Sequence, residues 1–170
     1  FGDDDVLIAS RNGKSSPPEL DKIYIRFNAS QLGEIKDIVS LDVFNLLSTG
    51  APREGIVFLL IGDDHNAWNE KALTWKNAPA TGKDHNLSAR HGLRMGRIAK
   101  PEKKSPPSTL SLNWLEDGPK VKQSMLRALN SGDRTVTLVV STTSQSVEYA
   151  SRENTTEGAH PPRMILEEEK

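Results

Sequence analysis

KIYIRF, residues 22–27, decides how the chain is read. Ile23, Ile25 and Phe27 fall on one side of an extended strand, and Lys22, Tyr24 and Arg26 on the other. Period two is the signature of a half-buried strand, and it recurs outward from this stretch. DVLIAS (5–10) precedes it, and VSLDVFNLL (39–47) and GIVFLLIG (55–62) follow. GIVFLLIG is apolar enough to lie centrally in a sheet. STLSLNWL (108–115) puts Leu110, Leu112 and Trp114 on one face, and TVTLVVS (135–141), QSVEYASR (145–152) and RMILE (163–167) complete the set. Between them lie the turn-forming clusters NGKSSPP, STGAPREG, NAPATGKDHN, KPEKKSPPS and NTTEGAHPP.

One segment breaks the pattern. In DGPKVKQSMLRALNSGD (117–133), Asp117 stands as an N-cap and Pro119 in the first turn. Val121, Met125 and Leu129 recur every four residues, and Gly132 stands where a left-handed C-terminal residue belongs. The spacing predicts one short crossover helix near 119–130. Many short strands with a single helix predict an all-β fold, an antiparallel two-sheet β-sandwich of jelly-roll type, with residues 1–170 as one domain.

Composition narrows the function classes. The 170 residues are 35% apolar and 26% charged, with a formal net charge of −1 and no cysteine. Near-neutral charge gives no general footprint for nucleic acid, and no apolar run is long enough for membrane insertion. Disulfides and thiol nucleophiles are absent, which leaves secretion open. FGDDDV shows neither a basic nor an apolar leader region, so a mature or excised domain, monomeric, is expected.

Catalytic motifs are missing: no G-x-S-x-G, P-loop, dinucleotide fingerprint or H-E-x-x-H occurs. The four histidines (65, 85, 91 and 160) are scattered among turn-like stretches. A non-enzyme without a required cofactor is expected. Asp63, Asp64 and His65 read better as a polar turn than as metal ligands. Asp3–Asp5 offers oxygens for a structural calcium, although acidic runs near a terminus are usually just solvated.

Charge distribution says more than the total. Residues 83–104 carry seven cationic side chains (Lys83, Arg90, Arg94, Arg97, Lys100, Lys103 and Lys104) against Asp84 and Glu102, with His85 and His91 besides. Guanidinium forks suit carboxylate and sulfate oxygens, so this stretch is either an anion-binding face or an ordinary solvated loop. Lys22, Tyr24 and Arg26 have the same two options, plain solvent-facing sheet or the floor of a groove. Arg26 has a third, a buried pair with Glu148 or Glu153.

Three stretches in order carry a family resemblance. KIYIRFNASQLGEIKDIVSLDVFNL (22–46) resembles a strand–turn–strand run of the type R-x-x-L-x-F-D-x-S-x-L, with Asn28 in the place of its Asp. WNEKALTWKNAPATG (68–82) resembles W-x-E-x-x-[VL]-T-W-x-N-x-P. The stretch 131–166 resembles an ending in which F-x-S-[RK]-E precedes proline and a last strand, with Tyr149 in the place of Phe. Together they are similar to DNRLRE-type domains, including carbohydrate-binding module family 96. The resemblance implies a non-catalytic β-sandwich, secreted or at the cell surface, attached to polysaccharide-active or surface proteins, often bacterial. Some members resemble binders of alginate-like uronates that act through basic residues.

The expected function is therefore capture of an anionic polysaccharide for neighbouring catalytic or surface domains. Lys22, Tyr24, Arg26, Arg90, His91, Arg94 and Arg97 would carry it. The alternative is a structural or adhesive spacer with no glycan ligand. Trp68 and Trp75 are expected to pack the fold rather than stack on sugar, since each indole N–H can be satisfied within a folded loop and the flanking Glu70 and Thr74 offer local hydrogen bonds.

Overall fold

The computed structural model describes residues 4–12, 19–46, 54–61, 68–74, 77–79, 87, 91–99, 106–142 and 145–169. Among these, the strands are β1 (Val6–Asn12), β2 (Glu19–Asp21), β3 (Ile23–Asn28), β4 (Ile35–Asn45), β5 (Gly55–Leu60), β6 (Gly92–Ile98), β7 (Ser108–Trp114), β8 (Thr135–Ser141), β9 (Gln145–Ala150) and β10 (Arg163–Glu168). Helix α1 (Gly118–Leu129) follows β7, and a 3-10 turn (Glu70–Ala72) lies between β5 and β6. Every strand pairing is antiparallel. The order is β2-β1-β9-β4-β7-β6-β5-β8-β3, with β10 also on β4. The all-β, antiparallel expectation holds, and the sheet rolls into a nearly closed, barrel-like shape. β7 carries it round the bend: residues 108–111 pair with β4 and residues 112–114 with β6.

Alternation in β3 is realised as the sequence predicts. Ile23 and Ile25 are buried in the main core with Phe27 against them, while Tyr24 and Arg26 point outward. β5 and β8 are buried along their whole length because both faces are covered. Val57, Leu59, Val136, Leu138 and Val140 face the main core. Ile56, Phe58, Leu60 and Val139 form a second, smaller cluster on the outer side with Leu87 and Tyr24. Two-sided burial is why β5 reads as an unbroken apolar run, whereas β8 also buries Thr135, Thr137 and Ser141.

α1 spans 118–129, one residue ahead of its predicted bounds, and sends Val121, Met125 and Leu129 into the core against β4, β6 and β8. Asp117 occupies the N-cap position, as expected, but its side chain makes no capping hydrogen bond; its carboxylate lies 3.6 Å from the Lys120 ammonium. Gly132 is left-handed, as predicted, at φ 60°.

Three elements depart from the sequence reading, the first being the short β2, which pairs with β1 where no strand is predicted. β4 begins at Ile35 rather than at residue 39. Its charged first half, IKDI, becomes strand by pairing with β10, with register shifts that pass over Lys36 and Val39. Residues 92–98, inside the basic stretch, are strand β6.

Candidate functional site

β6 sits between β5 and β7. A regular strand puts residues three apart on opposite faces, which would separate Arg94 from Arg97. Here Phe58 lies opposite Arg94 and the preceding Val57 opposite Gly96, so Met95 is the extra residue of a bulge. Met95 is buried in the main core, while Arg94 and Arg97 both emerge on the outer side, beside Phe58 and Ile56. The neighbouring Gly96 permits a close approach to β7: a Cβ there would stand 2.2 Å from the Asn113 carbonyl oxygen.

The Arg97 guanidinium pairs with Glu54 at 3.0 Å, both about half exposed. Arg94 is exposed, and no hydrogen bond or ion pair holds it among the described residues. His91 is exposed in the turn that leads into β6, where its carbonyl accepts from the Ile61 N–H at 3.1 Å. The structure thus brings Arg94 and Arg97 to one strand, with His91 in the turn that leads into it. Arg90 lies outside the described residues.

On the far side of the same outer surface, β3 carries Tyr24 and Arg26 against Trp68. The Tyr24 ring meets the indole edge-on at 5.9 Å, and its hydroxyl donates to the Pro79 carbonyl at 2.9 Å. Burial pushes its pKa up to about 12. The Arg26 guanidinium stacks 4.2 Å from the indole centroid and donates to the Trp68 carbonyl. Arg26 is therefore exposed and stacked, not buried against Glu148 or Glu153. Trp68 Nε1 donates to Thr137 Oγ1 at 3.1 Å, the packing role predicted for this indole. Trp75 lies outside the described residues. Lys22 is half-buried just before β3.

Two asparagines shape the tryptophan segment. Asn69 Oδ1 caps the 3-10 turn by accepting from the Lys71 N–H at 2.9 Å. Asn77 Oδ1 accepts from Thr74 Oγ1 at 3.0 Å, while its Nδ2 donates to the Ala72 carbonyl at 2.8 Å. Glu70 reaches Arg152 at 3.4 Å. The hydrogen bonding expected of Thr74 is present, and Asn69 and Asn77 supply partners that the sequence reading missed.

The two groups of predicted site residues share one surface, three strand spacings or roughly 15 Å apart. The strip between them is closed: Ile56, Phe58, Leu60 and Val139 are buried with Leu87 and Tyr24 over them.

A second polar arrangement lies on the outer side of β7, where Thr109, Ser111 and Asn113 are exposed. Ser111 donates to Asp42 Oδ1 at 2.8 Å, and Arg163 Nε approaches Asp42 Oδ2 at 3.4 Å. His160 Nδ1 lies 2.8 Å from the Pro161 carbonyl, which only accepts, so this nitrogen carries the proton. In the neutral ring Nε2 then accepts from Thr109 Oγ1 at 2.9 Å. The signal was present in STLSLNWL, whose polar positions alternate with the core ones.

Asp4 and Asp5 are exposed, and the Asp5 carbonyl accepts from the Ser151 N–H and from Asn154 Nδ2. Asp3 and the run Asp63, Asp64 and His65 lie outside the described residues. Among the described residues, no three His, Asp or Glu side chains converge as metal ligands, and no helix is long and apolar enough to cross a membrane. No protein-family model matches the chain, and no curated protein is significantly similar to it.

Proposed function

We propose that this chain is a non-catalytic carbohydrate-binding module of the DNRLRE type, similar to family 96. In this reading it captures an anionic polysaccharide as part of a secreted or cell-surface protein, alongside catalytic or surface domains. Its rolled sheet is a two-sheet jelly-roll sandwich in which β7 serves both sheets. The observation that carries the proposal is the bulge at Met95, which turns Arg94 and Arg97 to one side on a strand that is otherwise core. Guanidiniums held on a rigid strand suit carboxylate or sulfate oxygens and lose little freedom on binding. Affinity per site is modest, and attachment to a larger protein raises it through effective concentration.

Affinity electrophoresis against alginate, pectin, ulvan and carrageenan at two salt concentrations tests this. Retention is expected on at least one polymer, weaker at high salt, and reduced about tenfold or more by Arg94→Ala plus Arg97→Ala. Retention indifferent to both salt and the double substitution would remove the basic site.

A spacer with no glycan ligand is the second reading. It is favoured by the closed strip over β5 and β8 and by the engagement of Tyr24 and Arg26 with Trp68. It predicts no retardation on any polymer.

A further inference from the structure

Given the anionic-glycan reading, the binding track has two ways to leave Arg97. Across β5 and β8 it meets the buried apolar strip and the roof above it. Across β7 it meets exposed polar side chains. We infer that the glycan runs the second way, from Arg97 over Asn113 and Ser111 to Arg163, with hydroxyl contacts between two guanidinium ends.

Register supports this placement. Asn113 pairs with Arg97 across β6 and β7, and Asp42 pairs with both Ser111 and Arg163 across β7, β4 and β10. These residues lie on the outer side, opposite the core residues Leu110, Leu112 and Trp114. Following the register, the two arginine Cα atoms are separated by three strand spacings sideways and two residues along β7, on the order of 15 Å. That span suits a short run of sugar residues rather than a single one.

The chemistry along the track is graded. Asn113 offers two N–H donors and a carbonyl to ring hydroxyls, and it is exposed. The Ser111 hydroxyl donates to Asp42, which leaves its oxygen lone pairs for a sugar hydroxyl. At each end a guanidinium is held by one carboxylate, Arg97 by Glu54 and Arg163 by Asp42. Both arginines remain about half exposed, 48% in each case, so donors are left for a ligand. The Asp42 carboxylate, only 10% exposed, is occupied by Ser111 and Arg163 and presents little negative charge to a polyanion. The ligand class is thus a polysaccharide with carboxylate or sulfate groups recurring along the chain and free hydroxyls between them.

The test uses the whole chain in alginate and polygalacturonate gels, with hydroxyethylcellulose as the neutral control. Wild type, Arg94→Ala plus Arg97→Ala, Asn113→Ala, Arg163→Gln and, as a control, Lys120→Ala are compared, each checked for a cooperative melt. Asn113→Ala changes an exposed side chain and should weaken retention about fivefold, the worth of roughly one hydrogen bond. Arg163→Gln should weaken it more and reduce the salt dependence, while Lys120→Ala, which removes an exposed cation on α1, should leave it unchanged. Failure of wild type to be retarded in either acidic gel would sink the binding reading and this track with it. Retention lost with Arg94 and Arg97 but untouched by Asn113→Ala and Arg163→Gln would leave the module and overturn the track. Asn113→Ala decides the outcome should Arg163→Gln fail to fold.

Discussion

At the scale of single residues, Trp68 and Arg134 show how side chains hold loops to the sheet. Trp68 joins three partners: the Arg26 guanidinium on its ring, the Tyr24 edge and the Thr137 hydroxyl. Trp68→Ala removes all three and should cost about 2 kcal/mol, seen as a lower urea midpoint, with glycan retention little changed. Trp68→Phe keeps a ring face and should cost less. Arg134 holds a left-handed backbone at φ 55° while its guanidinium donates to three carbonyls, those of Leu129, Leu32 and Gly33. Those bonds fasten the end of α1 to the β3–β4 turn. Arg134→Ala loses them and keeps the strained backbone, so a cost of about 3 kcal/mol is expected. Arg134→Gly loses the same bonds but relaxes the backbone and should be about 1 kcal/mol milder in denaturant titration. Neither role is visible as a pattern in the sequence, since all of these partners but the Leu129 carbonyl lie 42 to 102 residues away.

At the scale of elements, legibility followed periodicity. KIYIRF, STLSLNWL and TVTLVVS alternate or run apolar, and each became a strand within a residue of its expected limits. GLRMGRI did not read as a strand, for a specific reason: the bulge at Met95 breaks period two, and two arginines and two glycines hide the core positions Leu93, Met95 and Ile98. The two cations then emerge together only because the neighbouring strand imposes that register. Gly96 is the hinge of this geometry. Gly96→Ala puts a methyl group into the Asn113 carbonyl, forces β6 from β7, and should cost upwards of about 2 kcal/mol. The same change should weaken retention on acidic polymers, because Arg97 and Asn113 move apart. β4 shows the other limit. Its first half is too charged to read as strand, yet β10 pairs one edge while Asn130 meets the Ile35 N–H and carbonyl with its side-chain amide at 2.8 and 2.7 Å. Asn130→Ala should cost about 1–2 kcal/mol through those two lost bonds, measured by thermal melting.

At the scale of the whole molecule, burial of two phenols gives the fold an alkaline limit. Tyr24 is pushed up to about 12 and Tyr149 is also raised, both by burial. A raised phenol pKa means that the unfolded chain ionises first, so this contribution is intact below about pH 10 and declines as pH rises toward 12. A melting temperature that falls over that interval is expected, with a shallower fall in Tyr24→Phe. A flat profile in wild type would contradict the burial of these hydroxyls.

Local sequence determined the strand and helix types, because side-chain period follows from backbone geometry and apolar period from the need to bury one face. It also determined that β5 lies centrally, since an unbroken apolar run requires cover on both sides. Tertiary structure alone decided what provides that cover. The tryptophan segment folds over the outer side of β3 and β8 through Arg26, Tyr24 and Thr137, and Leu87 joins the buried cluster on the outer side of β5 and β8. It alone decided which way Arg94 and Arg97 face, and that Asn113, Ser111 and Arg163 continue their surface. These outcomes rest on register between strands distant in sequence, and a one-residue shift in register exchanges the two faces of a strand.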